Sequence, residues 1–254
     1  MIRYGLKLWS GNEHRFFEEA ASGFQEKRFD FIELYVDADR PLNASGLQML
    51  ASIPVTIHGT HNHGFHEFVI GEEQLAIWQS VLALADRFSS SVIVVHPGQS
   101  NTLEVFEREM KKIDDSRMLV ENMPGLDLLH QPMFGQRLED LRIIRQQRKI
   151  CFDFEKAAKA AAYQNCSHQD YIRDGLAALT PSYFHLSGCD THDPVDQHLN
   201  LWEGDLDLVF IKNQLEPIAA VHNVRLVFET PREKEGLQND WKNMDYFRKI
   251  EIGS

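Results

Sequence analysis

Short apolar runs alternate along the chain with longer amphipathic stretches. Eight runs read as strands: 3–9, 31–36, 55–58, 91–96, 118–122, 149–153, 183–186 and 225–229. Between them, 13–27 carries Phe16, Phe17, Ala20, Ala21 and Phe24 at the three- and four-residue spacing of a buried helix stripe. The spacing recurs in 72–88 (Leu75, Trp78, Leu82, Ala85), 134–147 (Leu138, Leu141, Ile144) and 206–221 (Leu208, Ile211, Leu215, Ile218), where Pro217 is placed to kink the helix. Strand and helix in alternation predict a parallel sheet with helical crossovers. Runs such as 92–95 and 224–228 are largely apolar, as strands covered on both faces are.

Eight such units in 254 residues match an α/β fold of one kind, a single (β/α)8 TIM barrel domain over 1–254. The competing open doubly wound sheet usually carries a Gly-rich turn after its first strand. Here that turn reads Leu8-Trp9-Ser10-Gly11-Asn12. No Pro/Gly/Ser-rich linker, sequence repeat or low-complexity segment divides the chain. No window reaches the roughly 18 apolar residues of a membrane span, so no membrane partner is expected. No basic segment leads into an apolar one at the start, and no signal peptide is expected. Cys151, Cys166 and Cys189 are odd in number and lack a CxxC pair, which fits a reducing cytoplasm better than a disulfide framework. Cys151 lies within a strand and reads as a small core residue. The formal charge of −12 argues against a surface coated with basic patches for nucleic acid. Bound divalent cations would reverse the field locally.

Six runs end in, or are closely followed by, a side chain able to hold a metal: His58, His96, Glu121, Asp153, His185 and Glu229. In a barrel the C-terminal strand ends form the catalytic mouth, so these six would share one rim. A lone His or Glu at a strand end is ordinarily a solvated terminus. Three acids crowded together need cations to balance them. Three imidazoles with three carboxylates form a donor set for divalent metal, in a site holding more than one ion. Asp196-Gln197-His198 adds two ligand types in the loop after the seventh strand.

The phrases His96-Pro97-Gly98, Glu121-Asn122, the strand-six Asp153, His185-Leu186, Asp196-Gln197-His198 and Glu229-Thr230-Pro231 resemble the xylose-isomerase-like barrel superfamily. Within it they most resemble the endonuclease IV family of apurinic/apyrimidinic-site nucleases (AP endonuclease family 2). The resemblance implies three zinc ions. His58, His96 and Glu121 would hold one. Glu121, Asp153, His185 and Glu229 would hold the second, with Glu121 bridging, and Asp196 and His198 the third. It implies phosphoester hydrolysis on damaged DNA. Two features depart from that pattern. The family's Asp-x-x-His after strand six reads Asp153-Phe154-Glu155-Lys156, and a protonated lysine cannot ligate a metal. The third ion is then absent, weakly held, or completed by His192, Glu155 or a carbamylated Lys156. The bland reading of Lys156 is a surface or rim cation that replaces metal charge. The loop after strand two, 37–41, is short and acidic, with Arg40 its one cation, and the loop 59–67 offers Phe65 with His61, His63 and His66 as a cover or a stacking surface.

For a hydrolase, Glu121 would set the metal spacing, Glu229 would orient a water or take its proton, and Lys156 or Arg232 would neutralise phosphoryl oxygens. The superfamily's sugar and sugar-phosphate isomerases and epimerases give the alternative. There Glu121, Asp153, His185 and Glu229 surround one Mn, Co or Mg ion and the two Glu act as acid and base; Trp9 and Trp202 offer an apolar wall for a sugar, although barrel or helix packing is the commoner use of Trp. A barrel that binds without turnover is the third reading. The expected partner is therefore a small sugar or phosphoester, with damaged DNA as the larger option, and the expected cofactor is Zn, with Mn or Mg as alternatives. His14, His130, His168 and His222 read as surface histidines. Glu33 is a secondary candidate for substrate contact, and Cys189 lacks a paired base.

Overall fold

The computed structural model describes residues 1–61, 68–99 and 102–251. Eight strands, β1 (Ile2–Trp9), β2 (Phe31–Tyr35), β3 (Val55–His58), β4 (Ile93–Val95), β5 (Met118–Glu121), β6 (Lys149–Asp153), β7 (Tyr183–Leu186) and β8 (Val224–Phe228), pair in parallel in sequence order. β8 closes on β1, so the sheet is a (β/α)8 barrel, as the alternation predicts.

Around it lie α1 (His14–Gln25), α2 (Ala44–Met49), α3 (Glu72–Arg87), α4 (Leu103–Met110), α5 (Leu138–Arg145), α6 (Phe154–Tyr163), α7 (His168–Leu179), α8 (Leu208–Val221) and α9 (Gln238–Arg248). Four match the amphipathic stretches read from sequence. α5 is shorter than 134–147, and α8 runs through Pro217 without ending. α2, α4, α6, α7 and α9 escaped the pattern. α6 is buried from Phe154 to Ala161 and so shows no polar face to give a 3.6-residue period. No helix among the described residues is long and apolar enough to cross a membrane.

The strands sort their apolar residues into two clusters by alternation. Leu6, Leu8, Ile32, Leu34, Ile57, Ile93, Val95, Phe152, Phe184 and Phe228 belong to the large cluster shared with the helices. Phe31, Val92, Val94, Leu119, Cys151, Tyr183 and Val227 form a separate plug inside the barrel. Gly5 faces this plug. A Cβ there would lie 2.5 Å from Phe31 Cζ, so the glycine leaves the interior to the Phe31 ring.

Candidate metal centre

Two residues beyond the inward plug positions, the same strands carry polar groups. Gly5 leads to Lys7, Phe31 to Glu33, Thr56 to His58, Val94 to His96, Leu119 to Glu121, Cys151 to Asp153, Tyr183 to His185 and Val227 to Glu229. The period of two that packs the plug thus aims these eight side chains into one layer at the barrel mouth. Glu33, His58, Glu121, Asp153 and His185 are fully buried, and Lys7 and Glu229 nearly so.

Glu121 is the hub. Its Oε2 lies 2.8 Å from His96 Nε2 and 3.3 Å from His58 Nε2. Its Oε1 lies 2.9 Å from His185 Nδ1 and accepts from Lys156 Nζ at 2.6 Å. Burial alone would raise the Glu121 carboxyl, but Lys156, His185 and His96 hold it well below the usual range. His58 Nδ1 donates to the Gly59 carbonyl at 2.8 Å, which assigns the tautomer and turns the Nε2 lone pair towards Glu121. His185 behaves alike. Its Nε2 donates to Glu33 Oε2 at 2.9 Å, so Nδ1 faces Glu121 and, at 3.0 Å, Glu229 Oε1. Lone pairs turned on carboxylate oxygens need a cation between them, either a second proton or a metal ion. Burial opposes a charged His185, yet the carboxylates Glu229, Glu33 and Glu121 raise its pKa well above the ordinary value.

Asp153 caps the N-terminus of α6, accepting from Lys156 N through Oδ1 at 3.0 Å. Asn122 clamps it, donating to its carbonyl at 3.0 Å and accepting its N–H at 2.7 Å. Its Oδ2 is buried without a hydrogen-bond partner among the described residues, 3.8 Å from Lys156 Nζ. Burial pushes the Asp153 carboxyl up to about 6. Single ligand atoms from Glu121, Asp153, His185 and Glu229 lie within 4.8 Å of one another, as do those of His58, His61 and His96. The mixed N and O donors, the opposed lone pairs and the unmatched Asp153 oxygen all fit divalent cations.

Asp196 and His198 form a satellite. His198 Nε2 is 3.2 Å from Asp196 Oδ1, and its Nδ1 is 3.1 Å from the Glu229 carbonyl and 3.8 Å from Glu229 Oε2. His198 adopts φ 50°, an uncommon conformation for a residue with a side chain. Among the described residues the pair joins no compact group of three ligand atoms. His192 is exposed and pairs with Asp205 at 3.6 Å, so it does not complete this group. Glu155 is buried beside Asp196, and burial with that neighbouring charge raises its carboxyl well above the ordinary value.

Lys156 is the rim cation of its bland reading and not the surface one: its side chain is 2% exposed, and its ammonium lies among Glu121, Asp153 and Glu229 (4.0 Å). Trp202 takes the packing role. It packs edge-on against Tyr246 under Lys242, while Trp9 alone of the two lines the mouth. His63, Phe65 and His66 lie outside the described residues. His61 stacks on His96 with ring centres 4.5 Å apart. A cavity of about 330 Å³ opens over the layer, lined by Lys7, Trp9, Tyr35, His96, Lys156 and Glu229 among others. A second, of about 490 Å³, meets it at His61, His96 and Asp196 and is walled by Met123, Leu128 and Leu129.

The structure closely matches known barrels. Endonuclease IV from Thermus thermophilus superposes with a TM-score of 0.72 at 20% identity over 97% of each chain. The chain has the fold of the xylose-isomerase-like barrels. A 3-keto-D-glucoside 4-epimerase from E. coli gives a TM-score of 0.64 at 15% identity, over 98% of this chain and all of the other (100%). A xylose isomerase domain containing protein from Salmonella typhimurium gives 0.58 at 15% identity, over 97% and 94%. No family model and no curated sequence matches the chain. An endonuclease, an epimerase and a xylose isomerase domain containing protein thus share this architecture.

Sequence reading passed over Lys7 and undervalued Glu33. The Lys7 ammonium donates to Glu229 Oε1 and stands 3.6 Å from Glu33 Oε1. Glu33 Oε2 also accepts from Tyr183 OH at 2.7 Å, and that hydroxyl meets Thr56 Oγ1 at 2.8 Å. Glu33 is therefore an orienting partner of His185. The available signal was register: Lys7 and Glu33 are neighbours across β1 and β2, an opposite-charge pair on adjacent strands.

Proposed function

We propose that the protein is a divalent-metal-dependent phosphoester hydrolase of the endonuclease IV type. One observation carries the reading: Glu121 divides its two oxygens between separate donor groups, His58 and His96 on one side, His185 and Lys156 on the other. A carboxylate so divided suits two cation positions rather than one. His58, His96 and Glu121 would hold one ion, and Glu121, Asp153, His185 and Glu229 another. Asp196 and His198 remain as ligands for a third, beside the fixed charge of Lys156. With neutral imidazoles, the carboxylates of Glu33, Glu121, Asp153 and Glu229 exceed the ammoniums of Lys7 and Lys156 by two charges, which one divalent ion offsets. A substrate phosphate would bring the charge that a second ion needs. Zn suits the N and O donors, with Mn or Mg as alternatives.

When bound, the metal would supply Lewis acidity and a water acidified towards neutrality. The remaining work falls to the chain. Lys7 and His185 hold Glu229 Oε1, leaving Oε2 to orient the attacking water or take its proton. Lys156 presents a positive charge to phosphoryl oxygens at the mouth. Glu33 fixes the ring of His185.

A second reading, a single-metal sugar or sugar-phosphate isomerase or epimerase, is favoured by the small cavity of about 330 Å³ beside Trp9 and by the charge of −12. Protein supplied with Zn, Mn or Mg and incubated with abasic-site duplex and with small phosphoesters should cleave an ester in a chelator-sensitive way. Ketose interconversion without ester cleavage under any of the three metals would transfer the assignment to the second reading.

A further inference from the structure

We propose that Arg232 forms a subsite for an anionic oxygen of a compact substrate, a small phosphorylated or carboxylated polyol. The inference rests on the mouth being the substrate site, as in the function proposed above, and not on the metal or the reaction. Arg232 follows Glu229-Thr230-Pro231 at the end of β8 and lines the cavity of about 330 Å³. Its side chain is 9% exposed. Nε donates to Asp240 Oδ2 at 3.1 Å, and Nη2 donates to Asp240 Oδ1 at 2.5 Å and to the Lys7 carbonyl. The guanidinium lies 5.0 Å from the centre of the Trp9 ring. These contacts hold the group rigidly and leave Nη1 buried with no partner among the described residues.

Three other atoms share that condition. Thr230 Oγ1, His61 Nδ1 and Asp196 Oδ1 are buried without a hydrogen bond among the described residues, and all three residues line the same cavity; the Asp196 oxygen is ion-paired with His198 Nε2 at 3.2 Å. A buried polar atom left unpaired costs about 1–3 kcal/mol, so the three on one cavity that also lack an ion pair, on Arg232, Thr230 and His61, mark where a polar ligand is received. A guanidinium N–H pairs most strongly with an anionic oxygen, and a hydroxyl and an imidazole nitrogen suit the hydroxyls of a polyol. The volume sits at the small end of ligand pockets, roughly 300–1,000 Å³. Duplex DNA fits the surroundings less well. Its dense negative charge would meet a chain of charge −12.

Isothermal titration with four probes tests this: the non-hydrolysable phosphonate analogue of D-ribose 5-phosphate, D-ribonate, D-ribose and an abasic-site duplex. At least one of the two anions should bind about tenfold or more tighter than D-ribose, and the tighter anion tells phosphate from carboxylate. Arg232→Lys keeps a cation opposite Asp240 but removes Nη1, and should erase most of that preference while leaving D-ribose binding within about twofold. Thr230→Val, which breaks no hydrogen bond among the described residues, should weaken anion and sugar together by a few fold. Metal content, measured on the same samples, should match the wild type. Equal affinity for anion and neutral sugar, an unaltered preference in Arg232→Lys, binding of the duplex alone, or binding of no probe would each overturn the subsite. Protein that retains no metal yet keeps the anion preference would sink the hydrolase reading and leave the subsite standing.

Discussion

Two layers of the barrel interior, one step apart along the same strands, differ in almost everything but geometry. The plug of Phe31, Val92, Val94, Leu119, Cys151, Tyr183 and Val227 is apolar apart from a thiol and one phenol. The layer above it holds Lys7, Glu33, His58, His96, Glu121, Asp153, His185 and Glu229. Both are close to fully buried. The plug gains from burial, whereas the upper layer is buried at a cost that its own cations only partly offset. Stability and chemistry are thus assigned to adjacent layers. Tyr183 links them, contributing its ring to the plug and its hydroxyl to Glu33.

Substitutions on either side of that boundary should part company. Glu121→Gln preserves shape but removes the charge that joins the two donor groups. Turnover should fall at least about a thousandfold, roughly 4 kcal/mol of barrier, and retained metal should drop. Its unfolding midpoint should stay much nearer the wild type than that of Phe31→Ala. The latter opens a hole in the plug and should lose about 3–5 kcal/mol of stability in denaturant titration, with metal content per folded molecule unchanged. If both variants unfolded equally easily, the division between layers would be void.

Glu33→Gln probes the contact that steers His185. Metal affinity should weaken about 10–100-fold, read by competition with a chromogenic chelator, with the fold intact by circular dichroism. Unaltered affinity would show that plug packing alone orients the ring.

Glu109 supplies the comparison with an ion pair outside the mouth. It accepts from Ile70 N at 2.8 Å, Lys112 Nζ at 2.7 Å and Arg108 Nε at 2.9 Å. Burial would raise its pKa, but these donors hold it down at about 2. Because the folded value lies below the unfolded one, its stabilisation is complete above the ordinary value of 4.5 and disappears as pH falls towards 2. Glu109→Gln should cost about 1–2 kcal/mol near neutrality and flatten the stability profile between those limits, leaving metal content untouched.

The strands and the mouth were legible because a period of two survives in single residues: His58, Glu121, Asp153 and His185 each stand at or one residue before the end of an apolar run. Lys7 was not, since a lysine within an amphipathic-looking strand reads as its wet face, and only barrel closure on β8 brings it to Glu229. The burial of Lys156 was hidden for a related reason. Its place follows from α6 starting directly on Asp153, a helix whose apolar run conceals its period. The third donor group was read from Asp196 and His198 as neighbours in sequence, and the fold sets that pair beside Glu229, with His198 Nδ1 3.8 Å from its Oε2. Arg232 was legible as a candidate, but its rigid pairing with Asp240 belongs to α9, an element the pattern did not announce.

The claim that the upper layer is balanced by captured cations is tested most directly by elemental analysis of protein purified without chelator and then dialysed against Zn or Mn. At least one tightly held ion per chain is expected, rising to two when phosphate is present, with the binding lost in Glu121→Gln. Protein that arrives empty and takes up neither metal would contradict the account, and would leave the carboxylates of the upper layer to Lys7, Lys156 and protonated imidazoles.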